Sequence, residues 1–336
     1  MATQLVSLII PAFNEQDNLE EVFRRVTAVI AALPAYEFEM LLVDNASEDG
    51  TEAIASGFPS RDKRWRYIRF SRNFGVDVSL TAGLRYAQGN AVVILPSDLQ
   101  DPPEYLPLML ETWKREKCDV VYGVLTRRSD ESWLKTLGAR VAYRIIHRLS
   151  DVRIPPDATD FRLITRPVVE ALNRCHERSR YLRGLVHWVG FRQVGFPYER
   201  RVRVGGRSSA GLAHCINLAV LAVTAFSSRP LRWAWYLGAL TTGLSALGMA
   251  AYAVIKVLTH FGVIALTNAP PGWATQTLLT FFFGGVQCLF IGLLGEYLGR
   301  VFEEVKQRPL WVLGRTEGFP AGRDPLRSGG VIPPEV

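Results

Sequence analysis

Short apolar runs alternate with helical patterns over the first 210 residues. Residues 17–33 carry apolar side chains at helical spacing, which predicts an amphipathic helix. Four apolar runs read as buried strands, at residues 5–11, 39–45, 66–71 and 91–96. Strands that alternate with helices predict an α/β domain whose sheet is mostly parallel.

Polar side chains follow each of the four predicted strands. In open α/β sheets, ligands bind beyond the carboxyl ends of the strands. The residues at those positions are Asn14 and Glu15, then Asp44 and Asn45, then Ser71 to Asn73, and finally Asp98 to Asp101. One edge of the sheet is therefore expected to collect acids, amides and an arginine.

Two charge-free runs near the C-terminus predict transmembrane helices. Residues 233–255 contain 23 residues without a charge, and residues 274–295 contain 22. Each is long enough to cross a hydrocarbon core of roughly 30 Å as a helix. Lys and Arg flank the outer ends of both runs but are absent from the loop 259–273, so the positive-inside rule places both ends in the cytoplasm. The alternative is two buried helices of a large soluble core.

The remaining C-terminal segments complete the predicted organisation. Residues 211–228 are apolar but punctuated, and they fit either a helix on the membrane surface or a buried helix. Glu296 lies four residues before Arg300, a spacing that allows an ion pair on one helix face. The tail after residue 309 is rich in Pro, Gly and Arg and is expected to be poorly ordered. The predicted divisions are 1–210, 211–228, 229–300 and 301–336.

Composition and charge narrow the function classes. The chain is 48% hydrophobic, with a formal net charge of +7 and a pI of about 9.4. A basic chain suits anionic ligands or an anionic membrane face. The basic residues are spread between one loop and the membrane flanks instead of forming a stripe, which argues against nucleic acid. The four Cys form no C-x-x-C, so neither a zinc site nor a disulfide framework is predicted.

The order of several motifs resembles the polyprenyl-phosphate glycosyltransferases of glycosyltransferase family 2, which include the bactoprenol glucosyltransferases and dolichyl-phosphate mannose synthases. The segments that carry the resemblance are "SLIIPAFNEQDNL", "LLVDNASEDGT", "FSRNFGVDVSLTAGL", "SDLQDPP", "DFRLI" and "GLLGEYLGR". The resemblance implies a GT-A (Rossmann-like) nucleotide-sugar domain followed by two transmembrane helices. It also implies an inverting enzyme that moves one sugar from a nucleotide sugar to a polyprenyl (undecaprenyl) phosphate at the cytoplasmic face of the inner (plasma) membrane.

The resemblance also implies the donor site. Asp98 and Gln100 would hold Mg²⁺ or Mn²⁺ on the donor diphosphate, since hard oxygen ligands suit these ions. Asp98 would also contact the nucleotide sugar. A nucleoside pocket would be lined by Pro11, Asn14, Glu15 and Asp44. Capping or turn chemistry after a strand remains the alternative for Asn14 and Asp44, and a plain surface turn remains the alternative for Asp98.

On the acceptor side, the resemblance places Asp160 beside the attacking phosphate as a base or orienter, with Arg162 on the same segment. Arg203 and Ser208 would contact phosphate from the Arg-rich loop 199–209, and Arg128 is a further phosphate contact. A structural Asp–Arg pair is the alternative for Asp160. A basic face against lipid headgroups is the alternative for the loop.

Four positions depart from the family pattern. Pro96 replaces the first acid of the metal motif, which leaves Asp98, Gln100 and Asp101. Leu125 and Ser209 stand where cations are usual, and Thr159 stands where Gly is usual. These changes motivate the alternative of a degenerate, non-catalytic membrane scaffold or subunit. A processive synthase is the less favoured enzyme alternative, because that class usually carries Q-x-x-R-W and more spans, and the sequence shows neither. The Gly-rich run 284–299 allows close helix packing in a homo-oligomer.

Overall fold

The computed structural model describes residues 4–126, 155, 158–178, 180–200, parts of 236–261, 273–320 and 322–326. The chain divides into two compact units. One unit comprises Met1–Ala225 together with Gln307–Val336, and the other comprises Phe226–Lys306. The predicted site residues that the structure describes all belong to the first unit.

The described part of the first unit is built on an eight-stranded sheet. Its strands are β1 (Gln4–Ala12), β2 (Tyr36–Asp44), β3 (Trp65–Phe70), β4 (Ala91–Ile94), β5 (Val120–Leu125), β6 (Ala158–Thr165), β7 (Gln193–Tyr198) and β8 (Leu313–Glu317). Their order across the sheet is β7-β5-β6-β4-β1-β2-β3-β8. The strands predicted from apolar runs are β1 to β4, and all four are confirmed within two or three residues of their predicted bounds.

Helices of the first unit connect and cover these strands, and one further described helix belongs to the second unit. They are α1 (Gln16–Ala31), α2 (Thr51–Ala55), α3 (Phe58–Arg61), α4 (Val76–Tyr86), α5 (Leu106–Glu116), α6 (Arg166–Asn173), α7 (Leu182–Trp188) and α8 (Trp273–Lys306). The alternation of β1, α1 and β2 gives the predicted α/β class. Helix α1 occupies most of the range 17–33 predicted for it.

The two faces of β1 explain why its run is continuously apolar. Leu8 and Ile10 join the core that contains Leu19 and Val22 of α1. Ile9 lies on the opposite face against α4, where a Cβ added at Gly83 would come within 2.4 Å of Ile9 Cγ2. A strand buried on both faces has no polar alternation, which is the pattern that predicted it.

The mostly parallel order is confirmed except at β6 and β8, since β5 and β7 also pair in parallel. β4, β1, β2 and β3 pair in parallel. β6 runs antiparallel to both of its neighbours, with Ile94 opposite Arg162 and Val124 opposite Ala158. This reversal places the N-terminus of β6 at the same sheet edge as the carboxyl ends of β1 to β4. Asp160 therefore arrives at the edge that collects the polar residues.

The prediction of a poorly ordered tail was wrong for residues 313–317. These residues form β8, which pairs antiparallel with β3 and closes that side of the sheet. The segment "LGRTE" contains one buried apolar residue, Leu313, so its strand character comes from backbone pairing with β3 and not from an apolar pattern.

Helix α8 contains the second predicted span. Its part Phe282–Lys306 is long and apolar enough to cross a membrane, with a mean hydropathy of 1.4. The predicted ion pair on this helix is confirmed, because Arg300 Nη2 lies 3.0 Å from Glu296 Oε1. The first predicted span, 233–255, lies largely outside the described residues, and the predicted interfacial helix 211–228 lies wholly outside them.

Candidate active site

Ser47 joins two of the residues predicted to line the nucleoside pocket. The Asn14 backbone N–H donates to Ser47 Oγ at 2.9 Å. The Asp44 carboxylate accepts hydrogen bonds from Ser47 N at 2.9 Å and from Ser47 Oγ at 2.6 Å. The ends of β1 and β2 are thus tied together by one serine of the following loop.

Asp44 is completely buried and fully engaged by protein groups. Its second oxygen accepts from the Tyr67 hydroxyl at 2.8 Å and lies 3.4 Å from Arg69 Nε. Burial, followed by the charge of Asp44, raises the pKa of Tyr67, so this hydroxyl remains a donor at neutral pH. Asp44 therefore holds the turn after β2 through these contacts, which agrees with the turn-chemistry alternative as well as with the predicted place beside a nucleoside.

Three left-handed residues follow three of the parallel strands. Asn14 has φ 55° after β1, Ala46 has φ 60° after β2, and Leu99 has φ 56° after β4. Residues other than glycine are uncommon in this region, and such conformations persist where surrounding structure holds them. The shared feature is a sharp turn of the backbone at each strand end, all along one edge of the sheet.

Pro11 and Glu15 complete the predicted nucleoside pocket. The carbonyl of Pro11 accepts a hydrogen bond from Ser97 Oγ at 2.7 Å, which ties β1 to the loop after β4. Glu15 is buried and accepts from Asn18 Nδ2 at 2.5 Å. These two residues, with Asn14 and Asp44, lie along the ends of neighbouring strands as predicted.

The two acids of the loop after β4 differ in exposure and in hydrogen-bond partners. Asp98 is half-buried, and one of its carboxylate oxygens accepts from Gln100 N at 3.1 Å. Asp101 is completely buried and is bound by the Tyr198 hydroxyl at 2.5 Å and by Arg200 at 3.1 and 3.2 Å. The expectation that Asp101 remains available to a metal was wrong, because Arg200 and Tyr198 occupy its oxygens.

Asp98 and Gln100 fit a metal ion whose other ligands are water molecules and substrate phosphates. Among the described residues there is no group of three or more His, Cys, Asp or Glu side chains that could hold an ion. Mg²⁺ keeps several waters and is commonly bound by one or two carboxylates together with substrate phosphates. Asp98 supplies one accessible carboxylate and Gln100 an amide side chain two residues later, which meets that requirement once a diphosphate supplies the remaining ligands.

Asp160 and Arg183 form a bidentate ion pair at the N-terminus of β6. Arg183 Nε donates to Asp160 Oδ1 at 3.0 Å, and Arg183 Nη2 donates to Oδ2 at 2.6 Å. The buried Arg162 lies 3.4 Å from the same carboxylate and donates to Thr159 O at 2.8 Å. Burial alone raises the pKa of Asp160, but the charge and hydrogen bonds of Arg183 outweigh it, so its pKa lies below the usual value.

Asp77 supports the helix that carries Arg183. Its Oδ1 accepts from the backbone N–H of Leu182 at 3.0 Å, at the start of α7. Burial, together with the nearby charge of Asp160, raises the pKa of Asp77 to about 6. The same region contains His187, whose pKa burial and two arginines lower to about 4, so this imidazole is neutral at pH 7.

Asp77→Asn is expected to stabilise the protein at alkaline pH. A carboxyl whose folded pKa is raised favours the folded state when protonated, so its contribution is lost as pH rises through about 6. Asparagine keeps an acceptor for Leu182 and removes the buried charge, which predicts a gain of about 1–3 kcal/mol at pH 8. Thermal melting at pH 5 and pH 8 measures this.

The matched control for that prediction is Asp17→Asn, which removes an exposed acid from the first turn of α1. It is expected to lower the melting temperature slightly at both pH values, because the helix N-terminus loses a favourable charge. An Asp77→Asn protein that melts below the wild type at pH 8 would contradict the assignment.

Thr159, which stands where the family has glycine, makes two polar contacts through its side chain. Thr159 Oγ1 donates to Gly123 O at 3.2 Å and lies 3.1 Å from the Tyr198 hydroxyl oxygen, whose proton is donated to Asp101. The family departure at Thr159 is therefore absorbed by the network that holds Asp101. Arg128, Arg203 and Ser208, predicted to contact phosphate, lie outside the described residues.

Sequence reasoning missed several residues of this edge. Arg183 lies in a helix 23 residues after Asp160, and nothing in its local pattern points to a carboxylate partner. Asp77 carries a weak signal as an acid in the first turn of a helix. Tyr67 and Arg69 lie inside a strand, where alternation of side chains places both toward Asp44.

Comparisons with known proteins place these residues in context. The family model described as glycosyl transferase family 2 matches residues 7–172. An uncharacterized glycosyltransferase of Synechocystis is 38% identical and covers 94% of this chain and 96% of that relative. The bactoprenol glucosyl transferase of Shigella phage SfII is 35% identical and covers 93% of this chain and 98% of that relative. The solved mannosyl-3-phosphoglycerate synthase from Rubrobacter xylanophilus is 14% identical, with a TM-score of 0.45, over 80% of this chain and 78% of its own.

Proposed function

Because the chain belongs to glycosyl transferase family 2, we propose that it moves one sugar from a nucleotide sugar to a polyprenyl phosphate at a membrane surface. Family membership and the mixed α/β sheet confirm the GT-A class and the glycosyltransferase assignment. Polyprenyl phosphate is proposed as the acceptor because the chain is 35% identical to bactoprenol glucosyl transferases along almost its whole length.

The donor occupies the edge formed by the ends of β1, β2 and β4 in this proposal. Pro11, Asn14, Glu15 and Asp44 surround the nucleoside, and Asp98 lies at the diphosphate. Asp98 and Gln100 would hold Mg²⁺ or Mn²⁺, and a bound ion would supply positive charge to the departing nucleoside diphosphate. The chain's own contribution is to fix the turns that present these groups.

In this proposal, an oxygen of the acceptor phosphate is the nucleophile that attacks the sugar. A phosphate monoester has a second pKa near 6, so it is largely dianionic at neutral pH and needs little help from a base. Asp160 is a poor proton acceptor because its pKa is held low by Arg183. We therefore assign Asp160 the role of orienter: it positions Arg183 and Arg162, whose charges attract the phosphate. In-line attack on the sugar then inverts its anomeric configuration.

Arg183→Ala is expected to move the acidic limb of the pH–rate profile to higher pH. Arg183 lowers the pKa of Asp160, so removing it raises that pKa. Ionised Asp160 then persists only at higher pH, so activity falls more steeply on acidification than the titration of the acceptor phosphate alone would cause. Turnover measured from pH 4 to pH 8 tests this, with Arg192→Ala as a control that removes an exposed cation paired to Glu116. Superimposable acidic limbs for Arg183→Ala and wild type would exclude the role.

Membrane attachment supports the same proposal. The apolar part of α8, Phe282–Lys306, spans 25 residues and so about 37 Å as a helix. We infer that the protein is anchored by a pair of such helices, with the catalytic domain and C-terminus in the cytoplasm. The lipid bilayer then presents the polyprenyl phosphate, and the Gly-rich stretch of α8 leaves room for helix packing in an oligomer.

A non-catalytic scaffold is the competing function. It is favoured by Pro96 and by the ion pair between Arg200 and Asp101, which engages a carboxylate that could otherwise bind a metal. Purified protein in detergent separates the two functions. With a panel of nucleotide sugars and Mg²⁺, nucleoside diphosphate release that depends on added undecaprenyl phosphate supports the enzyme. Release from no donor, by a sample that melts cooperatively, supports the scaffold.

A further inference from the structure

The C-terminal strand β8 lies beside the predicted nucleoside pocket. It pairs with β3 so that Arg315 is opposite Arg69 and Leu313 is opposite Phe70. Without β8, β3 would be an edge strand with unpaired backbone groups. The chain that follows α8 is thus part of the sheet that carries Asp44.

An aromatic contact anchors the start of this strand. The ring of Trp311 stacks on Phe70 with centroids 6.4 Å apart and meets Tyr86 edge-on at 6.2 Å. Phe70 in turn meets Phe74 edge-on at 5.7 Å. Trp311 therefore supports the turn that leaves the end of β3.

Backbone and amide hydrogen bonds carry this support into the 71–75 loop, which follows β3. Ser71 N donates to Val312 O at 2.9 Å. Asn73 Oδ1 accepts from Asn45 Nδ2 at 2.8 Å, and Phe74 N donates to Asn45 Oδ1 at 2.8 Å. Asn45 directly follows Asp44, so the loop held by β8 fixes the backbone beside the buried pocket acid.

A charged route leads to the same acid. Arg315 Nη1 donates to Glu52 Oε1 at 3.2 Å, and Glu52 Oε2 lies 3.0 Å from Arg69 Nε. Arg69 also donates to Ser47 O at 3.0 Å and lies 3.4 Å from Asp44. Glu52 thus bridges an arginine of the tail to an arginine of the pocket.

We propose that Trp311 and Arg315 are positioning residues for nucleotide binding, which makes the C-terminal strand a functional part of the donor site. This inference rests on the proposed function, since it requires the nucleoside to bind beside Asp44. The two residues act by holding the 71–75 loop and Arg69 in the arrangement that Asn45 and Asp44 require.

The test compares Trp311→Ala, Trp311→Phe and Arg315→Ala in the full-length protein in detergent. Calorimetry with UDP, GDP, ADP, CDP and dTDP in Mg²⁺ gives nucleotide affinity without an acceptor. Trp311→Ala is expected to weaken binding about tenfold, by loss of aromatic packing, and Trp311→Phe is expected to restore most of it. Arg315→Ala is expected to weaken binding about threefold, because its ion pair is half-exposed.

The matched control is Arg323→Ala. Arg323 belongs to the same tail but donates to Gln88, at the opposite end of the sheet from the pocket. It is expected to bind nucleotide like the wild type. Amide hydrogen exchange gives a readout free of ligand: residues 71–75 are expected to exchange faster in Trp311→Ala, while β4 is unchanged.

The outcomes separate the role of β8 from the proposed function. Faster exchange at 71–75 with unchanged nucleotide affinity would overturn the inference, because β8 would then be structural only. Unchanged exchange and unchanged affinity would overturn it as well. A wild-type protein that binds no nucleotide in the panel would instead overturn the proposed function, and this inference with it. Weakened nucleotide binding with an unchanged KM for undecaprenyl phosphate supports it.

Discussion

Asp98→Ala is expected to lower kcat/KM for the nucleotide sugar by about 100-fold or more, a loss of roughly 3 kcal/mol in transition-state stabilisation. Asp98 is the accessible carboxylate of its loop, since Asp101 is bound by Arg200 and Tyr198. Its removal leaves Gln100 alone to hold a metal at the donor diphosphate. EDTA treatment of the wild type is expected to produce a loss of the same order.

Glu104→Gln is the matched control for this prediction. Glu104 follows in the same segment, but the structure pairs it with Arg25 on α1. Turnover by this variant is expected to remain within about twofold of the wild type, because Glu104 is engaged by the buried Arg25 and glutamine keeps an oxygen that accepts from it. Full activity of Asp98→Ala in EDTA would show that the loop after β4 holds no metal.

Asp160→Asn is expected to lower kcat by about 100-fold while leaving nucleotide binding intact. The substitution keeps the size of the side chain but removes the charge that holds Arg183 in a bidentate pair and lies beside the buried Arg162. The two guanidinium groups then lose the orientation that the acceptor phosphate requires. Single-turnover kinetics with saturating nucleotide sugar measure the effect.

Stability must be followed in parallel for Asp160→Asn, because Arg162 is almost fully buried and loses a partner. Asp119→Asn is a suitable comparison, since Asp119 lies at the opposite edge of the sheet, before β5, and accepts from Arg192 N. An Asp160→Asn protein that is folded and turns over within threefold of the wild type would exclude Asp160 from the acceptor site.

The central strands could be predicted because burial on both faces leaves an uninterrupted apolar signal. β1 to β4 carry that signal, and the polar residues at their ends mark the edge that the structure assembles. β8 could not be predicted in this way. Its sequence is largely polar, and its stability comes from pairing with β3, which is more than 240 residues away in the chain.

The role of an individual residue at this edge could be predicted only where the sequence carries a family motif. Asn14, Asp44 and Asp98 were predicted at this edge because they follow apolar strands, Asp160 was found only through resemblance, and the structure places all four at one edge. Their partners were not found, because Arg183 approaches Asp160 from a separate helix. The fate of Asp101 was equally hidden, since Arg200 lies 99 residues further along the chain.

Pro96 shows that a departure from the family motif does not by itself remove the site. It removes a carboxylate that the family pattern has, yet the next strand-end acid, Asp98, keeps an accessible side chain. The left-handed Leu99 turns the backbone between Asp98 and Gln100. The altered motif therefore retains two oxygen-bearing side chains at the expected place.

The most direct test of the account is the mass of the lipid product. Purified protein would be incubated with undecaprenyl phosphate, Mg²⁺ and each nucleotide sugar, and the extracted lipid analysed by mass spectrometry. The account predicts an undecaprenyl phosphate that carries a single sugar from one donor, formed by the wild type and strongly reduced in Asp98→Ala and Asp160→Asn. Unmodified lipid with every donor, from a sample that binds nucleotide, would contradict the proposed acceptor.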